Sequence, residues 1–305
     1  MAGADKTPGT PSPGTPPIIG VIGGSGVYDI DGLENPRWER VASPFGEASD
    51  EFLFGELDGL RLVFLPRHGR GHRITPTEVP YRANIAALKA AGVTDILSIS
   101  ACGSLKEEYA PGDFVAADQF IDRTFARDKT FFAAGMVAHV SMAYPVCPRL
   151  SGLAADAAEA VGSKMHRGGT YLAMEGPQFS SLAESKLYRQ WGCDVIGMTA
   201  MPEAKLAREA ELPYAILCMV TDYDCWRAET EAVSVTNVLE IMGQNSAVAR
   251  KAVVRLAEAL SGMERTSDPN GTDTCLDYAL ITAPQARDPD LLDRLQVIAG
   301  RALKG

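Results

Sequence analysis

Strand-like apolar runs alternate with helical periodicities along this chain, and the runs keep ending in glycine, hydroxyl or charged residues. The sequence therefore predicts an α/β fold, one large domain with a largely parallel or mixed sheet covered by helices on both faces. Three stretches carry the prediction. Ile18-Ile19-Gly20-Val21-Ile22 runs into Gly23-Gly24-Ser25-Gly26, Ile96-Leu97-Ser98-Ile99 into Ser100-Ala101-Cys102-Gly103, and Tyr214 to Val220 into Thr221-Asp222-Tyr223-Asp224. Ligands of open α/β sheets collect beyond the carboxyl ends of strands, so these polar exits are the first candidates for a site.

With 305 residues, 46% of them hydrophobic, the chain can bury a full core. A net charge of −10 argues against nonspecific binding to nucleic acid or to a membrane surface. An anionic ligand would then need a local cluster of donors. No run approaches the roughly 18 apolar residues of a membrane span, and no apolar signal core follows a basic start, so a cytoplasmic location is expected. The six cysteines (Cys102, Cys147, Cys193, Cys218, Cys225, Cys275) have no paired metal spacing, and reduced core thiols are expected.

In chain order, residues 1–17 are rich in Pro, Gly, Thr and Ser and read as a disordered tail. The first strand feeds the glycine turn. Without side chains at Gly23, Gly24 and Gly26, backbone N–H groups can approach a ligand oxygen, and the Ser25 hydroxyl adds a donor. An acidic, polar connection leads to strands around Phe52 and over 60–65, the second ending in Pro66-Arg67-His68-Gly69-Arg70-Gly71-His72-Arg73. Five of those eight residues are basic in an acidic chain, which suits either an anion clamp or a solvated loop. A helix over 78–91 closes at Gly92, the strand from Ile96 follows, and 112–124 reads as one further strand with a polar exit. His139 lies in a poorly periodic segment and by itself reads as structural or solvent-facing. An Ala-rich helix over 150–161 precedes a strand over 169–175 that ends in Gly176-Pro177-Gln178-Phe179-Ser180-Ser181, before a helix over 182–191. Val195-Ile196-Gly197-Met198-Thr199 is a short strand turning into a helix over 203–210. After the strand from Tyr214, a long helix over 233–260 closes the domain, assigned as 18–262. Residues 263–305 read as a linker through Ser267-Asp268-Pro269-Asn270-Gly271 and a helix near 291–303.

Six blocks in one order, Gly23-Gly24-Ser25-Gly26, Arg67-His68-Gly69-Arg70, Ala101-Cys102-Gly103-Ser104, Glu175 to Ser181, Met198 to Glu203 and Thr221 to Trp226, resemble the trimeric nucleoside phosphorylases over about 18–260. The resemblance implies a single α/β domain whose mixed, partly barrel-like sheet is surrounded by helices. It implies that Ser25, Arg67, His68, Ser100, Ala101 and Thr199 hold inorganic phosphate. Met198 would cover the ribose, Phe179 would stack on the purine next to Ser180, and Asp222 and Asp224 would meet the purine N7 and 6-amino edge. His139 would reach a neighbouring subunit's 5' pocket, so a homotrimer or a dimer of trimers is expected. No metal or organic cofactor is implied, and phosphate is a co-substrate.

The implied reaction is phosphorolysis of S-methyl-5'-thioadenosine to adenine and 5-methylthioribose 1-phosphate. It needs a held anionic nucleophile near a developing cation and a proton for the leaving purine. Paired carboxyls in a desolvated pocket titrate high, which suits Asp222 and Asp224 to share that proton. In 6-oxopurine relatives the position of Asp222 is asparagine, that of Ser180 glutamate and that of Val235 histidine, so a 6-aminopurine and an apolar 5' group are expected. Gly197 stands where some relatives have asparagine. The alternatives are a purine nucleoside or methylthioinosine phosphorylase, a hydrolytic nucleosidase, and a noncatalytic nucleoside sensor.

Overall fold

The structure, a computed structural model, describes residues 14–24, 26–227 and 235–304, the side chains of 235–238 apart. Eleven strands form one mixed sheet among the described residues, and six α-helices accompany it. Strand β1 (Ile18–Gly23) lies between β4 (Leu60–Pro66) and β5 (Asp95–Ser104), parallel to both. The antiparallel strands β3 (Phe52–Leu57) and β2 (Glu34–Glu39) extend that side. β11 (Tyr214–Asp222) runs parallel to β5 along its other edge and continues through β6 (Phe114–Ala116) to β8 (Met165–Arg167). β10 (Val195–Gly197) joins the last residues of β5 antiparallel, then leads to β9 (Thr170–Ala173) and β7 (Gln119–Asp122).

The strand interiors follow their sequence: β1 is buried at every position, and β5 at its first six, as expected where both sheet faces are covered. Helix α1 (Tyr81–Ala90) stops before Gly92, whose φ of +84° suits a residue without a Cβ. α2 (Pro148–Ala160) starts with proline in its first turn, and α3 (Leu182–Gln190) opens on a reciprocal capping box between Ser181 and Glu184. α4 (Ala200–Glu209) follows β10, α5 (Val235–Leu260) packs on α2, and α6 (Pro289–Leu303) is capped by Asp288.

Four expectations need correction. The connection after the glycine loop contains β2, an exposed strand whose Asn35-Pro36 hides any apolar alternation. Residues 112–124 form two strands, because β6 pairs with β11 and β8 whereas β7 pairs with β9. Residues 14–17 are not a tail: the Gly14 N–H donates to the Arg265 carbonyl, the Arg265 N–H to the Thr15 carbonyl, and Pro17 is buried.

Nor is 263–271 a linker. Arg265 is buried between Asp95 and Asp273, and Asp268 accepts from the Thr272 hydroxyl beside Arg208. Leu291, Leu295 and Ile298 of α6 join the main core, and the buried Lys89 ammonium donates to the carbonyls of Ala210 and Ile298. The C-terminal segment is part of the domain. All six cysteines are free. No helix among the described residues is long and apolar enough to cross a membrane.

Candidate active site

The site opens where β5 changes neighbours. β1 pairs with residues 95–98 of β5 and β10 with residues 103–104, leaving a gap between them along one edge. The Ile96 N–H points to Pro213 on the β11 side, so by strand alternation Ile99 and Ala101 present their N–H and C=O groups to the gap. The Ile99 carbonyl accepts from Arg67 Nη1 at 3.1 Å. Because β10 runs antiparallel there, its exit returns beside residues 100–102, and Thr199 Oγ1 comes within 3.3 Å of Ser100 Oγ.

A cavity of about 330 Å³ fills this split. Of the expected residues, Arg67, His68, Ser100, Ala101, Phe179, Met198, Thr199, Asp222 and Asp224 line it, so the ends of β4, β5, β10 and β11 do converge. Asp222 stands beside Gly103 in the ladder and Cys218 beside Ser100. The carboxyl end and the hydroxyl end therefore lie roughly 10 Å apart along β5.

At the hydroxyl end Arg67 is engaged with protein through all three of its nitrogens. Its Nε and Nη2 reach the two Glu203 oxygens at 2.8 and 3.1 Å, and Nη2 also donates to Ser98 Oγ at 2.7 Å and to the Ile22 carbonyl at 3.3 Å. Ser98 and Tyr214 donate in turn to Glu203 Oε1. One Nη1 hydrogen is left beyond these bonds. Both side chains are 2% exposed, and burial notwithstanding, the Glu203 charge holds the guanidinium pKa above its usual value. His68 Nδ1 donates to the Ile74 carbonyl at 2.8 Å, which fixes the proton on Nδ1 since a carbonyl only accepts. Burial and then the Arg67 charge push its pKa down to about 4, so the ring is neutral at pH 7 and stacks on His72 at 4.4 Å.

At the carboxyl end, Asp222 accepts from the Thr221 hydroxyl and from the Asp224 N–H, both at 2.7 Å. Asp224 sits at φ +51°, 6% exposed, and its Oδ2 has no hydrogen-bond partner among the described residues. Burial pushes both carboxyls up, and the Asp222 charge adds to the rise of Asp224. Phe179, 55% exposed, stands at the wall as an uncovered aromatic face.

Two expected residues lie off the cavity lining. Ser180 sits behind it, its carbonyl accepting from Cys225 Sγ at 3.3 Å and its hydroxyl near Met174 Sδ at 3.7 Å. His139 is exposed, its N–H donating to the Ala279 carbonyl beside the bridge between Ala138 and Leu280. Ser25 and the Val235 side chain lie outside the described residues. Met242 and Ser246, four apart on α5, line the cavity without having been singled out, although their spacing places them on one helix face. So does His72, which the basic loop contained. Gly197 lines the wall as well: a Cβ there would lie 1.9 Å from the Tyr171 hydroxyl, which accepts from the Thr199 N–H at 3.5 Å.

The family described as "Phosphorylase superfamily" matches residues 18–260. A relative named S-methyl-5'-thioadenosine phosphorylase, from Cereibacter sphaeroides, is 62% identical over 94% of this chain and 99% of its own. Its namesake from Rhodospirillum rubrum is 58% identical over 94% and 97%. Among solved structures, a methylthioadenosine phosphorylase sourced from an antarctic soil metagenomic library superposes with a TM-score of 0.87 at 45% identity, covering 92% of this chain and 98% of that one. The methylthioadenosine phosphorylase of Schistosoma mansoni in complex with adenine gives 0.81 at 35% identity, covering 86% and 98%.

Proposed function

This chain belongs to the phosphorylase superfamily, and on that premise we propose that it phosphorolyses S-methyl-5'-thioadenosine to adenine and 5-methylthioribose 1-phosphate, a pentosyl transfer of purine and methionine salvage. The observation that carries the reading is the single cavity with hydroxyls, an arginine and a neutral histidine at one end and two high-titrating carboxyls at the other.

Phosphate would sit in the β5 gap, taking the Ala101 N–H, the hydroxyls of Ser100 and Thr199 and the remaining Arg67 hydrogen. Ser25 would add its hydroxyl. Since the His68 proton is on Nδ1, its Nε2 is an acceptor and suits the O–H of a monoprotonated phosphate dianion. Met198 would cover the sugar and Phe179 the purine face. The bond from N9 to C1' breaks with its electron pair leaving on the purine, N7 takes a proton from the Asp222–Asp224 pair, and a phosphate oxygen bonds to C1'. The ionised partner accepts from the 6-amino group, and an apolar 5' pocket at Val235 suits a methylthio group. A 6-oxopurine would present a carbonyl to a carboxylate, which disfavours the inosine-type alternative. No metal or organic cofactor enters the scheme.

His139 would serve a neighbouring subunit's 5' pocket, in a homotrimer or a dimer of trimers acting in the cytoplasm. Its exposure beside Val137 and Ile281, which are 40% and 61% exposed, supports that assignment. Adenine release from methylthioadenosine, measured with and without phosphate, tests the reaction. Release that requires phosphate is expected. Release without it would make the protein a nucleosidase, and tight binding without turnover a sensor. Sedimentation at assay concentration tests the assembly, since a fully active monomer would remove His139 from any shared site.

A further inference from the structure

The sugar-side wall of the cavity is tied to one residue outside it. The Arg127 side chain is buried completely, and each of its nitrogens is engaged. Nη1 donates to the Met198 carbonyl at 2.5 Å, the Met201 carbonyl at 2.7 Å and the Tyr81 hydroxyl at 3.0 Å. Nη2 donates to the Glu175 carbonyl at 2.6 Å and approaches the Met174 carbonyl at 3.5 Å, and Nε reaches Glu175 Oε1 at 3.0 Å. The guanidinium thus fastens the exits of β9 and β10 to each other. Met174, Pro177 and Met198 from those two exits all line the cavity.

Glu175 completes the device. Burial would raise its carboxyl, but the Thr77 hydroxyl, the N–H groups of Phe125 and Ala126, and Arg127 bring it down to about 2. It therefore stays ionised beside Arg127 throughout the neutral range. The next residue, Gly176, adopts φ +70°, and a Cβ there would lie 2.5 Å from Met198 Sδ. The Met198 side chain rests on that bare backbone, so Arg127 holds Met198 directly at its carbonyl and supports its side chain through the Glu175 carbonyl that precedes Gly176. None of its bonds goes to the side chain of Arg67, His68, Ser100 or Thr199, although two of the carbonyls it holds, those of Met198 and Met201, flank Thr199 in the chain.

We infer that Arg127, oriented by Glu175, is a positioning residue that acts chiefly on the nucleoside half of the site, setting the wall over the sugar and bonding no side chain that holds phosphate. The inference rests on the proposed reading of Met198 as the ribose cover. A lysine at 127 keeps the charge opposite Glu175 but presents a point donor, which cannot span the carbonyls of Met198, Met201 and Glu175 at once.

The experiment compares wild type, Arg127→Lys and Arg127→Ala in phosphorolysis, varying methylthioadenosine and phosphate separately, with circular dichroism and urea midpoints recorded for each. For Arg127→Lys, KM for the nucleoside should rise about 10-fold or more, with KM for phosphate within about 2-fold of wild type. Millimolar guanidinium should restore part of the nucleoside affinity of Arg127→Ala. If Arg127→Ala does not fold, the two Michaelis constants of Arg127→Lys still decide the matter. Equal changes in both constants, or no change in either, overturn the positioning role while leaving the proposed reaction intact. A wild type that releases no adenine overturns the reaction and the inference together.

Discussion

At one end of the cavity Arg67 is locked to Glu203 through two bonds, with Ser98 and Tyr214 satisfying the same carboxylate, whereas at the other Asp224 keeps a buried oxygen without a hydrogen-bond partner among the described residues. The arginine end is neutral as a unit, since Glu203 cancels Arg67 and His68 carries no charge at pH 7. Its donors are set by the fold before any ligand arrives, which is what a preorganised anion site requires. The carboxyl end titrates high because burial outweighs the hydrogen bonds it receives. At the first end each buried charge is compensated by its partner, and at the second the carboxyls face the cavity.

The largest effect should come from breaking the neutral end. Glu203→Ala leaves Arg67 charged, buried and alone, and a stability loss of about 3–5 kcal/mol is expected in urea denaturation. An unshifted midpoint would mean that the pair carries no weight in the fold. Second, stability and function at this end should separate. Arg67→Met combined with Glu203→Gln removes both charges at similar volume and should recover most of that loss. Yet kcat/KM for phosphate should stay about 2–4 kcal/mol poorer in transition-state terms, chiefly through KM. A phosphate KM equal to wild type would remove Arg67 from the site.

The same contrast recurs on α4, six residues beyond Glu203. Among the described residues Glu209 is buried without a cation partner, accepting from the Phe131 N–H and the Thr130 hydroxyl, both at 2.7 Å. Burial lifts its pKa from 4.5 to about 7 against those two bonds. The folded state then binds this proton more tightly than the unfolded state, so the contribution is complete below about pH 4.5 and is lost as the pH rises through about 7. Glu209→Gln should therefore gain on wild type by up to about 3 kcal/mol between pH 5 and pH 8, read from paired urea midpoints. A gap independent of pH would show that the carboxyl is already ionised.

The smallest change is one of preference. Asp222→Asn converts an acceptor into a group that can donate to a 6-oxo oxygen, and should move relative kcat/KM from methylthioadenosine towards inosine-type substrates by about 1–3 kcal/mol. A wild type that already prefers inosine would refute this assignment of the purine end.

What could be read from the sequence was local. Strand ends announce themselves, because apolar runs stopping at Ser100, Thr199 or Asp222 need no partner to be recognised, and in an α/β sheet such ends gather. Partnerships across the chain were not legible. The basic loop after β4 invited the reading of Arg67 as a free clamp, but Glu203, 136 positions away, takes its fork. The polar stretch Ser267 to Gly271 has linker composition, yet its neighbours Arg265 and Asp273 find Asp95 and each other in the interior. β2 was missed because exposure at nearly every position removes the alternation that marks a strand. Arg127 gave no local signal, since its acceptors are backbone carbonyls whose positions exist only in the folded chain.

The 1.9 Å separation between a hypothetical Cβ at 197 and the Tyr171 hydroxyl makes these two positions a single choice. Tyrosine is rigid beyond its second torsion, so it cannot swing its tip aside, and Gly197→Ala alone should drive the ring out of a fully buried place in the core. Redesign of this wall must therefore move in pairs. A side chain at 197 that adds a polar contact over the sugar becomes accessible only when a smaller residue at 171 vacates the space, and either substitution made alone is a dead end between two workable sequences.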